Sequence, residues 1–217
     1  MEVLFSFWDG LCVHYANLKR EKAMEELSVL SKKILLASRS PRRKGLLQAA
    51  GFRIKVCDPK VEETYPDDMS AEQMVIYLAE KKAEAARIFM TGHDIIIAAD
   101  SIVLLESRML GKPKDLNHCK TMLGNLSGKV HKVITGVCML SKARKEVFSD
   151  LTEVKFAKFS DEEIRFYADR FRPLDKAGSY AIQEWIGHCK VEWIKGSYTN
   201  VMGLPVQKVY EKLATLF

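Results

Sequence analysis

The chain has 217 residues, 47% of them hydrophobic and 29% charged, a composition that excludes disorder over most of the length and suffices for one domain with a sizeable core. A formal charge of +6 favours an acidic partner, nucleic acid or a small phosphorylated substrate, and charge alone does not separate the two. Five scattered cysteines with no C-x-x-C pair argue against a disulfide framework or a zinc ribbon and suit a reducing cytoplasm, while the lack of any run of about 18 uncharged apolar residues predicts no membrane-spanning helix.

Residues 1–32 read as an N-terminal extension. Early acids at Glu2 and Asp9 and no basic start set it apart from a secretory or organellar signal. From about Ala16 to Lys33 it is amphipathic and predicted helical, with Met24, Leu27 and Leu30 on one stripe. Ile34, Leu35 and Leu36 then form a short apolar strand, Ser40 can cap a helix, and Pro41 suits its first position. Arg42 and Arg43 fall in the first helical turn, where the partial positive charge of unpaired N–H groups disfavours each cation by roughly 0.3–1 kcal/mol. A bound phosphate would reverse that sign, so the pair reads as a cradle for an absent anion; a solvated basic turn has the same composition. Gly51 ends the helix, "FRIKVCD" alternates as a strand, and "PKVEETYPDDMS" is a polar loop.

Ser70 and Gln73 form a capping box for a helix that places Met74, Leu78 and Lys82 on one row. "DIIIAADSIVLLESRMLGKPKD" is a buried strand, expected to leave the core at Asp100, followed by a hairpin around Glu106 to Arg108 and a loop with Lys112. A helix from about Leu116 to Leu126, the strand "HKVITGVCMLS", another strand ending near Lys158 and a capping box at Ser160 and Glu163 continue an α/β order. The rest is glycine-punctuated strand and loop with a closing helix. Trp185 and Trp193 are read there as strand residues that pack in the core, with base stacking by Trp185 as the lesser option. Lone histidines at 14, 93, 118, 131 and 188 show no metal-ligand spacing.

Five separated stretches, "LLASRSPRRKGLL", "AEKKA", "AADSIVLLESRMLGKPKD", "MLGNLSGKVHKVITGV" and "DKAGSYAIQ" with its continuation "KGSYTNVMGLPV", together resemble the Maf family of nucleotide pyrophosphatases, whose fold is related to that of the inosine triphosphate pyrophosphatases. The resemblance runs from about Lys33 to Phe217. It implies a single α/β domain of two lobes around an elongated, curved mixed sheet with the active cleft between the lobes. It further implies a magnesium- or manganese-dependent enzyme that cuts a nucleoside triphosphate between the α and β phosphates.

The family's catalytic base falls on Asp100, a carboxylate able to hold a divalent ion and take a water's proton. Its second acidic position falls on Glu63, with Glu62 as the neighbouring register. The cleft lysines fall on Lys82 and Lys112, mobile point charges for phosphate. Ser38, Arg42 and Arg43 form the implied phosphate cradle. Arg42, Ser101 and Gln183 occupy the positions associated with substrate choice, where the branch that prefers thymidine and uridine triphosphates carries arginine, threonine and glutamine. Ser101 departs from threonine and keeps the hydroxyl.

The expected partner is therefore a pyrimidine nucleoside triphosphate, modified pyrimidines included, with a homodimer left open as an assembly. The reading from a different class is a nucleic-acid-binding or cell-division regulatory module that uses the basic cleft without hydrolysis; carboxylates at Asp100 and Glu63 oppose it, because they repel a phosphate backbone unless a metal intervenes. A P-loop kinase or ATPase is excluded by the lack of G-x-x-x-x-G-K-[ST].

Overall fold

The computed structural model describes residues 28–216. The helix expected from about Ala16 lies outside the described residues as far as residue 27; beyond it, Ser28–Ser31 form a 3-10 turn and Lys33 already opens the first strand. The elements that follow are β1 (Lys33–Ala37), α1 (Pro41–Ala49), β2 (Arg53–Cys57), α2 (Ala71–Ala85), β3 (Ile95–Leu105), β4 (Arg108–Leu110), α3 (Leu116–Leu126), β5 (Val130–Ser141) and β6 (Lys145–Phe156). They continue with α4 (Asp161–Phe171), α5 (Trp185–Lys190), β7 (Val191–Lys195), α6 (Tyr198–Val201) and α7 (Val206–Leu216). Both capping boxes form, Ser70 with Gln73 and Ser160 with Glu163, and Asp115 caps α3, so local side-chain chemistry fixes the start of three helices. Trp185 differs from expectation: it opens the short helix α5, and only Trp193 sits on a strand, where it is 43% exposed.

One mixed sheet of seven strands organises the domain, in the order β2-β1-β3-β5-β6-β7 with β4 also on β3. β1 pairs in parallel with β2 and β3, and the remaining pairs are antiparallel. Successive residues of a strand face opposite sides. On one side α2 covers the sheet over Leu35, Ile96, Ala98, Cys138, Ile102 and Ile134. Gly136 permits this: a Cβ there would lie 2.4 Å from the Val75 carbonyl, so any other residue would push α2 away.

The opposite side carries two separate cores. Ile95, Ile97 and Met139 pack with Leu47, Val209 and Leu213 from α1 and α7. Val103, Val133 and Val154 pack with Leu123, Leu126 and Tyr167 from α3 and α4. Between them runs a seam of fully buried polar side chains, Thr135 and Thr152 on the strands and Asn200 on α6. The seam divides one domain into two lobes.

β3 is where the lobes meet. β5 pairs with it from Ile95 to Leu104 along one edge. On the other edge β1 pairs only with Ile95 to Ile97, and β4 only with Val103 to Leu105, which leaves residues 98–102 without a strand partner there. β1 runs toward this gap and ends just before Ser38, and β4 runs toward it from the far side and ends before Lys112. β2, parallel to β1, delivers the loop that carries Glu63 to the same place.

Candidate active site

The notch in the sheet edge opens into a cleft of about 570 Å³. Ser38, Arg42, Arg43, Glu63, Lys82, Asp100, Ser101, Lys112 and Gln183 all line it, and Glu62 does not. Asp100 departs from its expected position at a strand end. It lies in the middle of β3, opposite Gly136, and reaches the cleft because the strand's outer edge is open. Parallel strands that deliver their C-terminal ends to one crevice are a recurrent way to build a ligand site in α/β sheets.

Asp100 and Ser101 are adjacent and therefore face opposite sides of the sheet. On the α2 side, the Lys82 ammonium lies 2.5 Å from Asp100 Oδ1 and 2.7 Å from Glu63 Oε1, bridging the two carboxylates. Lys82 is 13% exposed and Asp100 16% exposed, so this pair is largely withdrawn from solvent. Burial raises the Glu63 carboxyl, but the Lys82 hydrogen bond and charge, with Lys112 and Arg43 beyond, outweigh it and hold Glu63 below the usual carboxylate range. Lys81 donates to the Thr64 hydroxyl and carbonyl, which ties the Glu63 loop to α2.

On the other side, Arg43 departs from the expected picture of a cation waiting for an anion. Its Nε donates to the Gly203 carbonyl at 2.7 Å, one terminal nitrogen donates to Ser101 Oγ at 2.8 Å, and the other donates to Ser38 Oγ at 3.3 Å. Burial lowers its pKa, the Asp100 charge works in the opposite direction, and a guanidinium remains ionised in any case. Gly203 has φ +114°, a conformation that glycine tolerates and other residues strain to adopt, and so its carbonyl can be turned to this arginine. Three of five guanidinium N–H groups are thereby used, which leaves two for a ligand.

Arg42 is anchored as well, donating to Asp175 Oδ2 at 3.1 Å. Asp175 also accepts from Lys176 at 2.8 Å, and burial of its carboxyl is outweighed by Lys176 and Arg42, which hold its pKa below the ordinary value. Lys176 lies 3.5 Å from Glu184, whose other oxygen accepts from the Tyr167 hydroxyl. Sequence reasoning missed Asp175 and Lys176 as cleft residues. Their signal was their place at the head of "DKAGSYAIQ", but the Arg42 partner is 133 positions distant in the chain. Gln183 lines the cleft, and its Oε1 is buried without a hydrogen-bond partner.

In total the cleft wall holds seven basic and four acidic side chains, a balance suited to a polyanion that brings a cation with it. Among the described residues no group of three or more His, Cys, Asp or Glu side chains gathers as a metal cage. The two carboxylates at Glu63 and Asp100 nevertheless hold one cationic group between them already. Magnesium is commonly bound in this way, by one or two carboxylates with phosphate and water as the other ligands.

Residues 33–216 match the family model described as Maf-like protein. The chain belongs to the Maf family. It is 51% identical to a dTTP/UTP pyrophosphatase of Phocaeicola vulgatus over 185 residues, 85% of this chain and 96% of that one. It is 46% identical to a dTTP/UTP pyrophosphatase of Bacteroides fragilis over 186 residues, again 85% of this chain and 96% of that one. Among solved structures, the Staphylococcus aureus Ham1 protein aligns at 16% identity with a TM-score of 0.49, over 86% of this chain and 100% of that one. Within this Maf chain, the five motif stretches meet at the cleft from both lobes, and no described helix is long and apolar enough to cross a membrane.

Proposed function

We propose that this protein is a nucleoside triphosphate pyrophosphatase that converts thymidine and uridine triphosphates to the monophosphate and pyrophosphate. The observation that carries the reading is the pair Asp100 and Glu63, drawn together around one ammonium at the centre of a cleft otherwise rich in arginine and lysine. Phosphate needs the cations, and a hydrolytic water needs a proton acceptor beside them. The names of the two relatives support the reaction and the pyrimidine substrates.

A divalent ion, magnesium or manganese, would be held by Asp100 and Glu63 and would supply positive charge to the phosphate oxygens. The chain's own residues supply the rest. Ser38, Arg43 and Lys112 hold the phosphates at the ends of β1 and β4, and Lys82, on its flexible stem, follows their charge during the reaction. Asp100 accepts the proton of the water that attacks the α-phosphorus. The bond from the α-phosphorus to the oxygen bridging to the β-phosphorus breaks, and pyrophosphate departs with its charge stabilised by the same cations. Base reading is assigned to Gln183. Its unpartnered Oε1, once turned to the cleft, would accept from the ring N–H of thymine or uracil and its amide N–H₂ would donate to the adjacent carbonyl, whereas cytosine offers neither that N–H nor a carbonyl at the exocyclic position. Scattered cysteines, of which the four described are free thiols, support a reducing cytosol as the place of action.

The test is pyrophosphate release from a panel of ordinary and 5-substituted nucleoside triphosphates with magnesium or manganese. Thymidine and uridine triphosphates should lead the panel. A protein that releases no pyrophosphate from any of them, or releases only orthophosphate, is not this enzyme.

A further inference from the structure

We propose that Thr135 is a positioning residue for the triphosphate site, acting through Ser101 on the aim of the Arg43 guanidinium. The proposal rests on the reading of Arg43 as a phosphate-holding residue. Thr135 lies on β5 directly opposite Ser101 of β3, on the face of the sheet that Arg43 approaches, and is itself fully buried. Its hydroxyl lies 2.9 Å from Ser101 Oγ, and Ser101 Oγ in turn accepts from Arg43 at 2.8 Å. On its other side Thr135 reaches the Asn200 carbonyl at 3.4 Å. Thr135 thus ties the arginine's contact to the rigid middle of the sheet.

The far end of this relay is fixed with unusual thoroughness. The Asn200 amide donates to the Val133 carbonyl, the Asp150 carbonyl and the Thr152 hydroxyl, so three strand positions hold the segment that also carries Gly203. Gly203 supplies the second fixed contact of Arg43, on Nε. The guanidinium plane is therefore set chiefly by its two short contacts, the Gly203 carbonyl and the Ser101 hydroxyl, with the Ser38 hydroxyl as a longer third. Ser101 is a short side chain on an open strand edge and can rotate about one bond, so a partner is needed to hold its oxygen toward Arg43. Thr135 is that partner: with its own proton directed to the Asn200 carbonyl it accepts from Ser101, whose other acceptor, the Gly203 carbonyl, is farther away at 3.5 Å. The hydroxyl at position 101, by the same geometry, meets the substrate's chemistry chiefly through the arginine that it orients.

The experiment is a steady-state comparison with thymidine triphosphate and magnesium of the wild type, Thr135→Val, Thr135→Ser, Arg43→Ala and the double variant Thr135→Val with Arg43→Ala. Valine keeps the shape and removes the hydroxyl. We expect KM to rise roughly 3–10-fold, the effect of one net hydrogen bond, with a smaller fall in kcat, since the loss falls first on holding the phosphate chain and leaves Asp100 in place. Serine should restore KM to within about 2-fold of wild type. In the Arg43→Ala background the valine change should add less than about 2-fold, because its route of action is gone.

A rise in KM with Arg43→Ala but none with Thr135→Val overturns the Thr135 proposal alone, as do effects that multiply in the double variant. No rise with Arg43→Ala removes the phosphate role of Arg43 and the proposal with it. Should Thr135→Val fail to give folded protein by circular dichroism, Thr135→Ala must show the same KM rise, and a wild-type KM there overturns the proposal.

Discussion

Replacing Arg43 by alanine sets two effects of opposite sign against each other in the unliganded protein. Position alone, in the first turn of α1, makes this cation unfavourable by about 0.3–1 kcal/mol, so its removal should stabilise. The contacts argue the other way. Alanine deletes the bonds to Gly203 at 2.7 Å, Ser101 at 2.8 Å and Ser38 at 3.3 Å, and leaves the Gly203 carbonyl facing an empty site. Hydrogen bonds from a charged donor contribute about 1.5–3 kcal/mol each, and with partial exposure the two short ones together give about 3 kcal/mol at the low end. Subtracting the dipole relief leaves a net loss of about 2 kcal/mol. In urea, with a slope of about 2 kcal/mol per molar, the unfolding midpoint should fall by about 1 M. The measurement belongs in a phosphate-free buffer, since a bound anion would add its own linkage. Arg43→Lys is the control: it keeps the unfavourable charge and lacks the fork, so it should lose at least as much. An unchanged or higher midpoint for Arg43→Ala would refute this ledger and return the arginine to the role of a strained cation awaiting its ligand.

Asp100→Asn should lower kcat by at least about 100-fold with the far-ultraviolet circular dichroism unchanged, because an amide neither accepts the water's proton nor binds a cation strongly; near-wild-type turnover would exclude Asp100 as the base. Gln183→Ala should narrow the preference for thymidine over cytidine triphosphate, expected to be at least about 10-fold in kcat/KM, and equal slowing on both nucleotides would place base reading elsewhere. His131, buried against Phe156 and hydrogen-bonded to the Tyr180 hydroxyl at 2.7 Å, has its pKa pushed down to about 3 by burial. The unfolded chain takes up this proton near pH 6.5 and the native state does not, so stability should fall as pH drops from about 6.5 toward 3, by up to about 1.4 kcal/mol per pH unit from this group. His131→Gln should show a shallower loss in urea titrations at pH 7, 6 and 5, and an unaltered pH slope would mean that the histidine ionises in the native state.

What could be read from the sequence was what neighbouring residues decide between themselves. The bounds of α3, the caps at Ser40, Ser70 and Ser160, and the first-turn placement of Arg42 and Arg43 follow from interactions within four positions. Trp185 went astray because an alternating stretch of six residues does not distinguish a strand from a short helix. The site's residues were found through the family motifs, and their arrangement was beyond any local signal. Asp100 was expected at a strand end, whereas its access comes from the different lengths and registers of β1 and β4 on one edge of β3. The anchors of the two arginines, Asp175 and Gly203, are 133 and 160 positions away, and a first-turn charge penalty computed without them has the wrong sign.

The sheet also limits how the cleft can work. β3, β5 and β6 run unbroken from one lobe into the other, with β5 paired along nearly its whole length to both neighbours. A hinge between the lobes would have to shear these ladders, so the two halves form a rigid frame instead of jaws. Capture of the nucleotide then falls to the parts mounted on the frame, the long side chains and the loop from Asp58 to Ser70, which lacks helix and strand and is tethered through Lys81 and Lys82. Scattering profiles of the free and nucleotide-bound protein should accordingly superimpose, with the change on binding confined to protection of that loop from proteolysis.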